Sequence, residues 1–201
     1  MHKRSMLVVL ICLFSVCMTG AEDLSKNKLK FAFLKYSESD SKSLDFTRPV
    51  KLADGDRYQL FIESDTATCL YLVYVNSSDV ASIMLRSSLK PGVPVFIPSE
   101  KRPFIIHPPA GKDKIYMIVS SSPLEKLEKL LDNLRNNKDA VNENSQAVVD
   151  EIIRLKREGS ELGEIANKPV SIGGTSRGPK LPDYRIIHWK NIYVTTIRLN
   201  H

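Results

Sequence analysis

The stretch Thr68-Cys69-Leu70-Tyr71-Leu72-Val73-Tyr74-Val75-Asn76 decides the fold of this chain. Its β-branched and aromatic residues favour a strand, and apolar side chains fall on both faces of that strand. A strand with two apolar faces needs cover on each side, so we predict that it is a central strand of a layered β structure. The polar run Asn76–Asp79 predicts a hairpin loop that leads to a second strand at Val80–Arg86.

Further strand-like segments lie on both sides of this hairpin. Phe31–Tyr36 and Arg57–Glu63 precede it. After the hairpin, seven of the eleven prolines fall between Pro91 and Pro123 and separate short apolar runs, which are Val95–Ile97, Phe104–Ile106 and Ile115–Val119. Because proline cannot donate to a β-ladder, these runs predict short antiparallel strands joined by rigid corners, as in a β-sandwich.

The sequence pattern becomes helical after Ser122. A stripe of leucines indicates an amphipathic helix of about four turns that begins at Pro123. The stripe consists of Leu124, Leu127, Leu130, Leu131 and Leu134. A second helix is predicted over Ser145–Glu158. Together they predict a helical insertion over residues 123–167, an αα-hairpin that packs on the sheet or projects from it.

Two strand-prone segments, Tyr184–His188 and Asn191–Leu199, follow a Gly/Pro/Ser-rich loop at Lys168–Asp183. A terminal strand must be tied into a sheet to stay ordered, so we predict that the last one pairs with an early strand. The fold class that follows is mostly β: an antiparallel β-sandwich with an α-helical hairpin inserted before the last strands. We expect residues 22–201 to form it as a single domain.

Residues Met1–Ala21 have the pattern of a secretory signal peptide, with a basic start, an apolar run at Met6–Val16 and small residues at the end. The run has about half of the roughly 20 residues that a membrane-spanning helix needs. We therefore expect cleavage after Ala21 and a periplasmic or secreted protein. An alternative is lipid attachment at Cys17, which would bring membrane association, although the residues before it fit the lipoprotein pattern poorly.

The composition is that of one ordinary globular domain, with 42% hydrophobic and 26% charged residues among 201. It excludes low-complexity, disulfide-scaffold and polytopic membrane proteins. Between Lys168 and His201 the chain carries six Lys or Arg residues and one acid, Asp183. Such a segment can bind an anionic cell-wall polymer or another polyanion, which is an alternative function. The predicted export argues against nucleic acid as a partner.

Groups for catalysis are few in this sequence. Outside the leader the one cysteine is Cys69, and a thiol-dependent enzyme, a further alternative, would need it beside His107 or His188. A thiol inside so apolar a strand has a raised pKa and is unreactive, so we expect a core cysteine and a protein that is not an enzyme. The histidines, cysteines and acids lack metal-ligand spacing, and we predict no metal or cofactor.

Aromatic residues near the end of the chain form the candidate binding site, provided that their rings face solvent. With neighbouring cations they would make a shallow stacking surface for sugars or peptides. The candidates are Tyr184, Arg185, Trp189, Lys190 and Tyr193. Addition of a partner's strand at the edge of Val95–Ile97 is a second binding mode, which the flanking prolines oppose.

Three segments carry a distinctive order of strands and turns. Gly55–Glu63 has a Gly-Asp start, Cys69–Asp79 has a Tyr-Leu-Val-Tyr strand and an Asn-Ser turn, and Pro108–Leu124 has Pro-Pro-Ala-Gly, a strand and Pro-Leu. This pattern resembles the bacterial domain-of-unknown-function family DUF4384 over about Leu44–Leu124. The resemblance implies an all-β domain of exported or envelope-associated proteins and carries over no catalytic residue. We therefore expect an exported, non-enzymatic binding or adaptor module of the bacterial cell envelope, whose partner is a protein or an envelope polymer.

Overall fold

The segments that the sequence predicts as strands form two packed β-sheets. The computed structural model describes residues 27–36, 41–159 and 183–201. The strands in these residues are β1 (Asn27–Tyr36), β2 (Ser41–Leu44), β3 (Val50–Lys51), β4 (Arg57–Ser64), β5 (Thr68–Val75), β6 (Ala81–Leu89), β7 (Val95–Ile97), β8 (Phe104–Ile105), β9 (Lys112–Ser120), β10 (Arg185–Trp189) and β11 (Ile192–Asn200). The helices are α1 (Glu125–Asn136) and α2 (Val141–Gly159).

Each sheet is built around long antiparallel pairs. The six-stranded sheet follows the path β10-β1-β4-β7, with β2 also paired to β1 and β8 also paired to β4. The five-stranded sheet has the order β3-β11-β9-β5-β6. Its edges are therefore the two-residue strand β3 and the nine-residue strand β6.

Side chains between the two sheets form the main core. From β5, Leu70 and Leu72 belong to this core, whereas Tyr71 and Val73 belong to a second core on the other face. Both faces of β5 are therefore covered, which confirms the prediction from its sequence. The largest fully buried side chains between the sheets are those of Trp189, Phe31, Phe33, Leu29, Leu60, Ile62, Leu70, Leu72 and Ile115. The fold is the predicted one, a mostly β sandwich with a helical insertion.

The two helices cover the outer face of the five-stranded sheet, so the hairpin packs on the sheet and does not project from it. The predicted leucine stripe supplies the contact, with Leu127 and Leu131 fully buried. Val148 and Ile152 of α2 are fully buried in the same layer. The second helix begins at Val141, earlier than the predicted Ser145. The backbone N–H of Asn144 already donates to the carbonyl oxygen of Ala140 at 2.9 Å, which is a helical hydrogen bond.

The last strand, β11, pairs with an early strand, as predicted, but its longer pairing is with a later one. It runs parallel to β3 over Val50–Lys51 and antiparallel to β9 along its whole length. The strand before it, β10, pairs with β1 in the other sheet. The two closing strands therefore join one sheet each.

Several predicted features lie outside the described residues. They are the leader Met1–Ala21 with Cys17, the end of the insertion at residues 160–167, and the loop at residues 168–182. Cys69 does lie on β5, but its side chain is half-buried, which corrects the expectation of a fully enclosed thiol. Within the described ranges, no helix has the length and apolar character needed to cross a bilayer.

A tyrosine hydroxyl on β5 holds the start of α1. Tyr71 Oη donates to Glu128 Oε1 at 2.6 Å and accepts from the backbone N–H of Leu124 at 3.1 Å. That N–H belongs to the helix entry, where backbone donors lack intrahelical acceptors. Arg86 on β6 adds ion pairs to Glu128 at 2.8 Å and to Asp132 at 2.9 Å. Polar contacts as well as leucines therefore fix α1 on the sheet.

Replacing Tyr71 by phenylalanine should lower the free energy of unfolding by about 2 kcal/mol, because a hydrogen bond to a carboxylate is lost and a backbone N–H loses its acceptor. The matched control is Tyr116→Phe. Tyr116 is buried in the same helix-side core, and no hydrogen bond joins its hydroxyl to a described residue. The control should cost less than about 0.5 kcal/mol. Urea unfolding measures both, and equal losses would contradict the role assigned to Tyr71.

Candidate functional site

A cavity of about 640 Å³ opens between the two sheets. It lies at the corner where the edge strands β6 and β7 face each other across the sandwich. Most of its lining is apolar, and the polar groups converge at one end. The lining residues are Tyr58, Tyr74, Ser82, Ile83, Met84, Leu85, Val95, Phe96, Ile97, Pro98, Phe104, Ile105, Ile106, His107, Asp113, Leu199 and His201.

One wall of the cavity is an irregular part of β6. The register with β5 shifts between Leu72, which pairs with Leu85, and Val73, which pairs with Ile83. Met84 is the extra residue of this β-bulge. A bulge bends its strand and redirects side chains, and here both Met84 and Leu85 line the cavity.

The opposite wall consists of the short strands β7 and β8 with the proline-containing loop between them. Both strands pair with β4, three residues of β7 beside Leu60–Ile62 and two of β8 beside Arg57 and Tyr58. Buried Gln59 donates from Nε2 to the carbonyl oxygen of Ser99 and so ties the loop to β4. These ties limit collapse of the wall onto β6.

A buried carboxylate organises the polar end of the cavity. Asp113 Oδ2 accepts a hydrogen bond from Tyr74 Oη, and it lies 2.7 Å from His201 Nε2. The side chains of Asp113 and His201 are 5% and 8% exposed. A carboxylate in so dry a position needs such partners to offset its lost hydration. The backbone holds His201 there through two hydrogen bonds with Gly111, at 2.7 and 3.1 Å.

Two tyrosines beside this carboxylate are held in their neutral form. Burial, followed by the negative charge of Asp113, raises the pKa of Tyr58 to about 12. Burial, followed by the hydrogen bond to Asp113, also raises the pKa of Tyr74. Tyr58 is stacked between Phe33 and Phe104, with ring centroids 5.3 and 5.2 Å away. Both phenols therefore remain hydrogen-bonding groups at neutral pH.

The aromatic site predicted from the sequence needs correction, because its rings do not face solvent. Tyr184, Trp189 and Tyr193 are 6%, 1% and 7% exposed. Trp189 and Tyr193 belong to the core between the sheets, and Tyr184 packs against Phe61 on the outer face of the six-stranded sheet. A stacking surface needs free ring faces, so these residues serve the core. Strand alternation alone could not tell which face of each strand would be covered.

The two cations of that predicted site do not form a stacking surface with the rings. Arg185 forms an ion pair with Asp45 at 2.8 Å and lies over the ring of Phe46, 5.1 Å from its centroid. Lys190 is exposed in the turn after β10. Of the basic terminal segment, Arg198 is also exposed, whereas Lys168, Arg177 and Lys180 lie outside the described residues.

The proposed pairing of Cys69 with a histidine is not formed. Cys69 packs with the helix-side core, and its strand neighbours are Ser88 and Ser120. His107 lines the cavity on the other side of the five-stranded sheet, and His188 lies on β10 of the six-stranded sheet. The described residues contain no group of three or more His, Cys, Asp or Glu side chains arranged to hold a metal ion.

Asp113 and His201 are site residues that the sequence reading missed. Asp113 has the same strand parity as Ile115, Met117 and Val119, which all face the core between the sheets. A carboxylate on the buried face of a strand was the available signal. The sequence around His201 contains no comparable signal. This histidine reaches Asp113 only because its backbone is hydrogen-bonded to Gly111.

The fold and cavity define a β-sandwich with a pocket between its sheets. A comparison with known protein families matches part of this sandwich. Residues 51–123 match the family described as Domain of unknown function (DUF4384). The predicted resemblance is confirmed over this stretch, which includes strands β4 to β9 and most of the cavity lining. Leu199 and His201 lie outside it. No curated protein and no solved structure gave a match to the chain.

Replacing Asp113 by asparagine should lower the pKa of Tyr74 toward its ordinary value of 10, because the negative charge beside the phenol disappears while its burial remains. Ultraviolet absorbance of tyrosinate against pH measures the shift, and Tyr74→Phe identifies the step. Asp79→Asn is the control, since Asp79 is an exposed acid paired with Lys114. Equal titration curves for the two asparagine variants would contradict the assignment.

The raised pKa of Tyr58 predicts that the folded protein loses stability at alkaline pH. A group whose pKa is raised in the folded state stabilises fully below its unfolded pKa and loses this effect as pH rises through its folded pKa. For Tyr58 that interval runs from pH 10 to about 12. We expect the free energy of unfolding to fall across it, and to fall less in Tyr58→Phe. Urea unfolding at several pH values provides the measurement; equal slopes for both proteins would contradict it.

Proposed function

We propose that this protein is a non-enzymatic binding module of the bacterial cell envelope and that the cavity between the sheets is its binding site. The observation that carries the proposal is the cavity itself. Its volume of about 640 Å³ lies in the range of small-ligand pockets, and its lining combines apolar walls with a few converging polar groups. We take the ligand to be an apolar group that places a polar atom near Asp113 and Tyr74.

Binding fits the polar end of the cavity better than catalysis does. Asp113 and His201 would be the orienting half of a Ser-His-Asp triad, and Ser82 lines the same cavity. A triad also needs a hydrogen bond from the serine to the histidine, and none joins Ser82 to His201 in the described part of the chain. A thiol mechanism has less support, because Cys69 packs on the helix side of the sheet, away from His107 at the cavity and His188 on β10.

Export and an envelope location rest on the leader pattern in Met1–Ala21. We expect protein recovered from the producing cells to begin at Glu22, since cleavage after Ala21 removes the leader. Mass spectrometry of the intact protein measures this. A chain beginning at a lipid-modified Cys17 would instead support the lipoprotein alternative. A cytosolic chain that retains Met1 would contradict export.

The alternative, polyanion binding through the basic terminal segment, has less support. Arg185 is already paired with Asp45, so Lys190 and Arg198 are the exposed cations of that segment among the described residues. Retention on an anionic matrix that falls steeply with salt would favour this alternative.

The cavity is tested with anilinonaphthalene sulfonate, an apolar fluorescent anion, and two matched substitutions. Ile105 and Ile153 are both partly exposed, at 45% and 37%, but only Ile105 lines the cavity. Ile105→Glu should weaken dye binding by at least about tenfold, because it places a charge in an apolar wall. Ile153→Glu, on α2, should leave the dye affinity unchanged.

Circular dichroism confirms that both variants are folded. Equal dye affinity in the two variants, or fluorescence that reports no binding to the parent protein, would contradict the cavity as the site.

A further inference from the structure

From the cavity and the strand edge beside it, we infer that the ligand is an extended polypeptide segment with acidic flanks. It adds as a strand to the outer edge of β6 and places alternate apolar side chains in the cavity. The inference rests on the proposed function, and it specifies that the ligand of the cavity is a peptide.

The outer edge of β6 has backbone groups that pair with no other described strand. Within the described residues β6 pairs with β5 only. The hairpin bond from Asn76 N–H to the carbonyl of Val80, at 3.1 Å, shows that Val80 points its backbone groups toward β5. By strand alternation Ala81 points outward, and its N–H donates to Ser145 Oγ of α2 at 2.9 Å.

Within the described residues, Ala81 is the outward position of β6 whose N–H is bonded to a helix side chain. After the bulge, Leu85 and Ser87 pair with Leu72 and Leu70 of β5. Alternation then turns the backbone N–H and C=O of Arg86 and Ser88 outward, and no described residue bonds to them. A second polypeptide strand can satisfy these groups, as in other cases of strand addition.

The outer edge of β6 lies beside the cavity, so a peptide strand added to this edge could also place side chains in the cavity. Side chains of an added strand alternate between its two faces, so every second one would enter the space between β6 and the opposite wall. Met84 and Leu85 already line that space. A fatty acid could fill the cavity, but it has no backbone donors and acceptors for Arg86 and Ser88. The edge therefore favours a peptide.

The segment that contains the cavity-lining strands β7 and β8 has a net positive charge, which favours acidic flanks. Residues 90–114, which connect β6 to β9, carry five Lys or Arg residues and two acids. One of these acids, Asp113, is buried and bound to His201. Of the cations, Lys90, Lys101, Arg102 and Lys112 are exposed. Glu100 is the exposed acid of this segment, and the cations outnumber it. An extended segment with Asp or Glu at its ends would therefore meet a net positive charge.

The earlier candidate edge, β7, suits strand addition less well than β6. It has three residues, and Pro94 and Pro98 flank it. Proline lacks the N–H that a partner strand would need, so the ladder would be short.

The test uses a capped octapeptide of alternating valine and threonine with an aspartate at each end. Its counterpart carries N-methyl groups on every second residue, which block one edge of the peptide backbone. We expect the parent peptide to bind and the N-methylated peptide to bind at least about tenfold more weakly. Amide hydrogen exchange at Arg86 and Ser88 should slow when the parent peptide is added, since their N–H groups become paired.

Two variants of the protein separate edge pairing from general effects on the fold. Ser88→Pro removes an outward N–H that β5 does not use, and proline is tolerated on an edge strand. It should weaken binding of the parent peptide by about tenfold. Ser88→Ala keeps the N–H and should bind as the original protein does. Circular dichroism and unchanged dye binding confirm that Ser88→Pro keeps the cavity.

The outcomes distinguish this inference from the proposed function. Equal binding of the two peptides, or unchanged exchange at Arg86 and Ser88, overturns strand addition. Binding of dodecanoate or of the dye without binding of the peptide makes the cavity a site for small amphiphiles; it overturns the inference and leaves the proposed function standing. If neither the dye, dodecanoate nor the peptide binds, both fail.

Discussion

Burial of β5 on both faces is the constraint on which the rest of the fold depends. Leu70 and Leu72 must be covered on one side, and Tyr71 and Val73 on the other. Each fully buried side chain of this size contributes about 1.5–3 kcal/mol relative to an exposed one, so neither face can be left to water. The six-stranded sheet covers the first face. The second requires the helical hairpin, which explains why helices are inserted into an otherwise β-stranded chain before the closing strands.

The cavity lies where this packing of sheet on sheet is incomplete. Across the centre of the sandwich, long strands face each other and their side chains fill the space between them. At the corner, the six-stranded sheet continues only with the short strands β7 and β8, and the opposing strand β6 is bulged. Asp113 prevents a wholly apolar closure there, because its buried carboxylate depends on Tyr74 and His201. The irregular elements and the buried charge together keep the space open.

Elements defined by local patterns could be predicted from the sequence, and features defined by distant contacts could not. Runs of β-branched and aromatic residues bounded by turn residues predicted the main strands, and the leucine stripe predicted α1 with its buried face. The cavity joins Tyr58, Asp113 and His201, which only the strand order brings together. The burial of the three rings in the predicted aromatic site could not be predicted for the same reason. Aromatic residues such as Tyr184, Trp189 and Tyr193 occur both in binding surfaces and in sheet cores. The pairing of β10 and β11 with other strands determines whether their rings are buried or exposed.

The edges of the two sheets are protected unequally, and this bears on how the cavity is used. Natural β proteins shorten, cover or interrupt exposed edges, because unpaired backbone groups attract other strands. In the five-stranded sheet, β3 is two residues long, and in the six-stranded sheet prolines flank β7. At β6, the described hydrogen bond to the outer edge is the one from the Ala81 N–H to Ser145 Oγ. Arg86 is drawn sideways to Glu128 and Asp132 on α1, so its charge does not shield the edge beyond it. Among the described residues, the rest of this edge beside the apolar cavity has no partner strand. Such an edge is a liability for a protein without a partner, and it is an advantage for one whose partner supplies the missing strand.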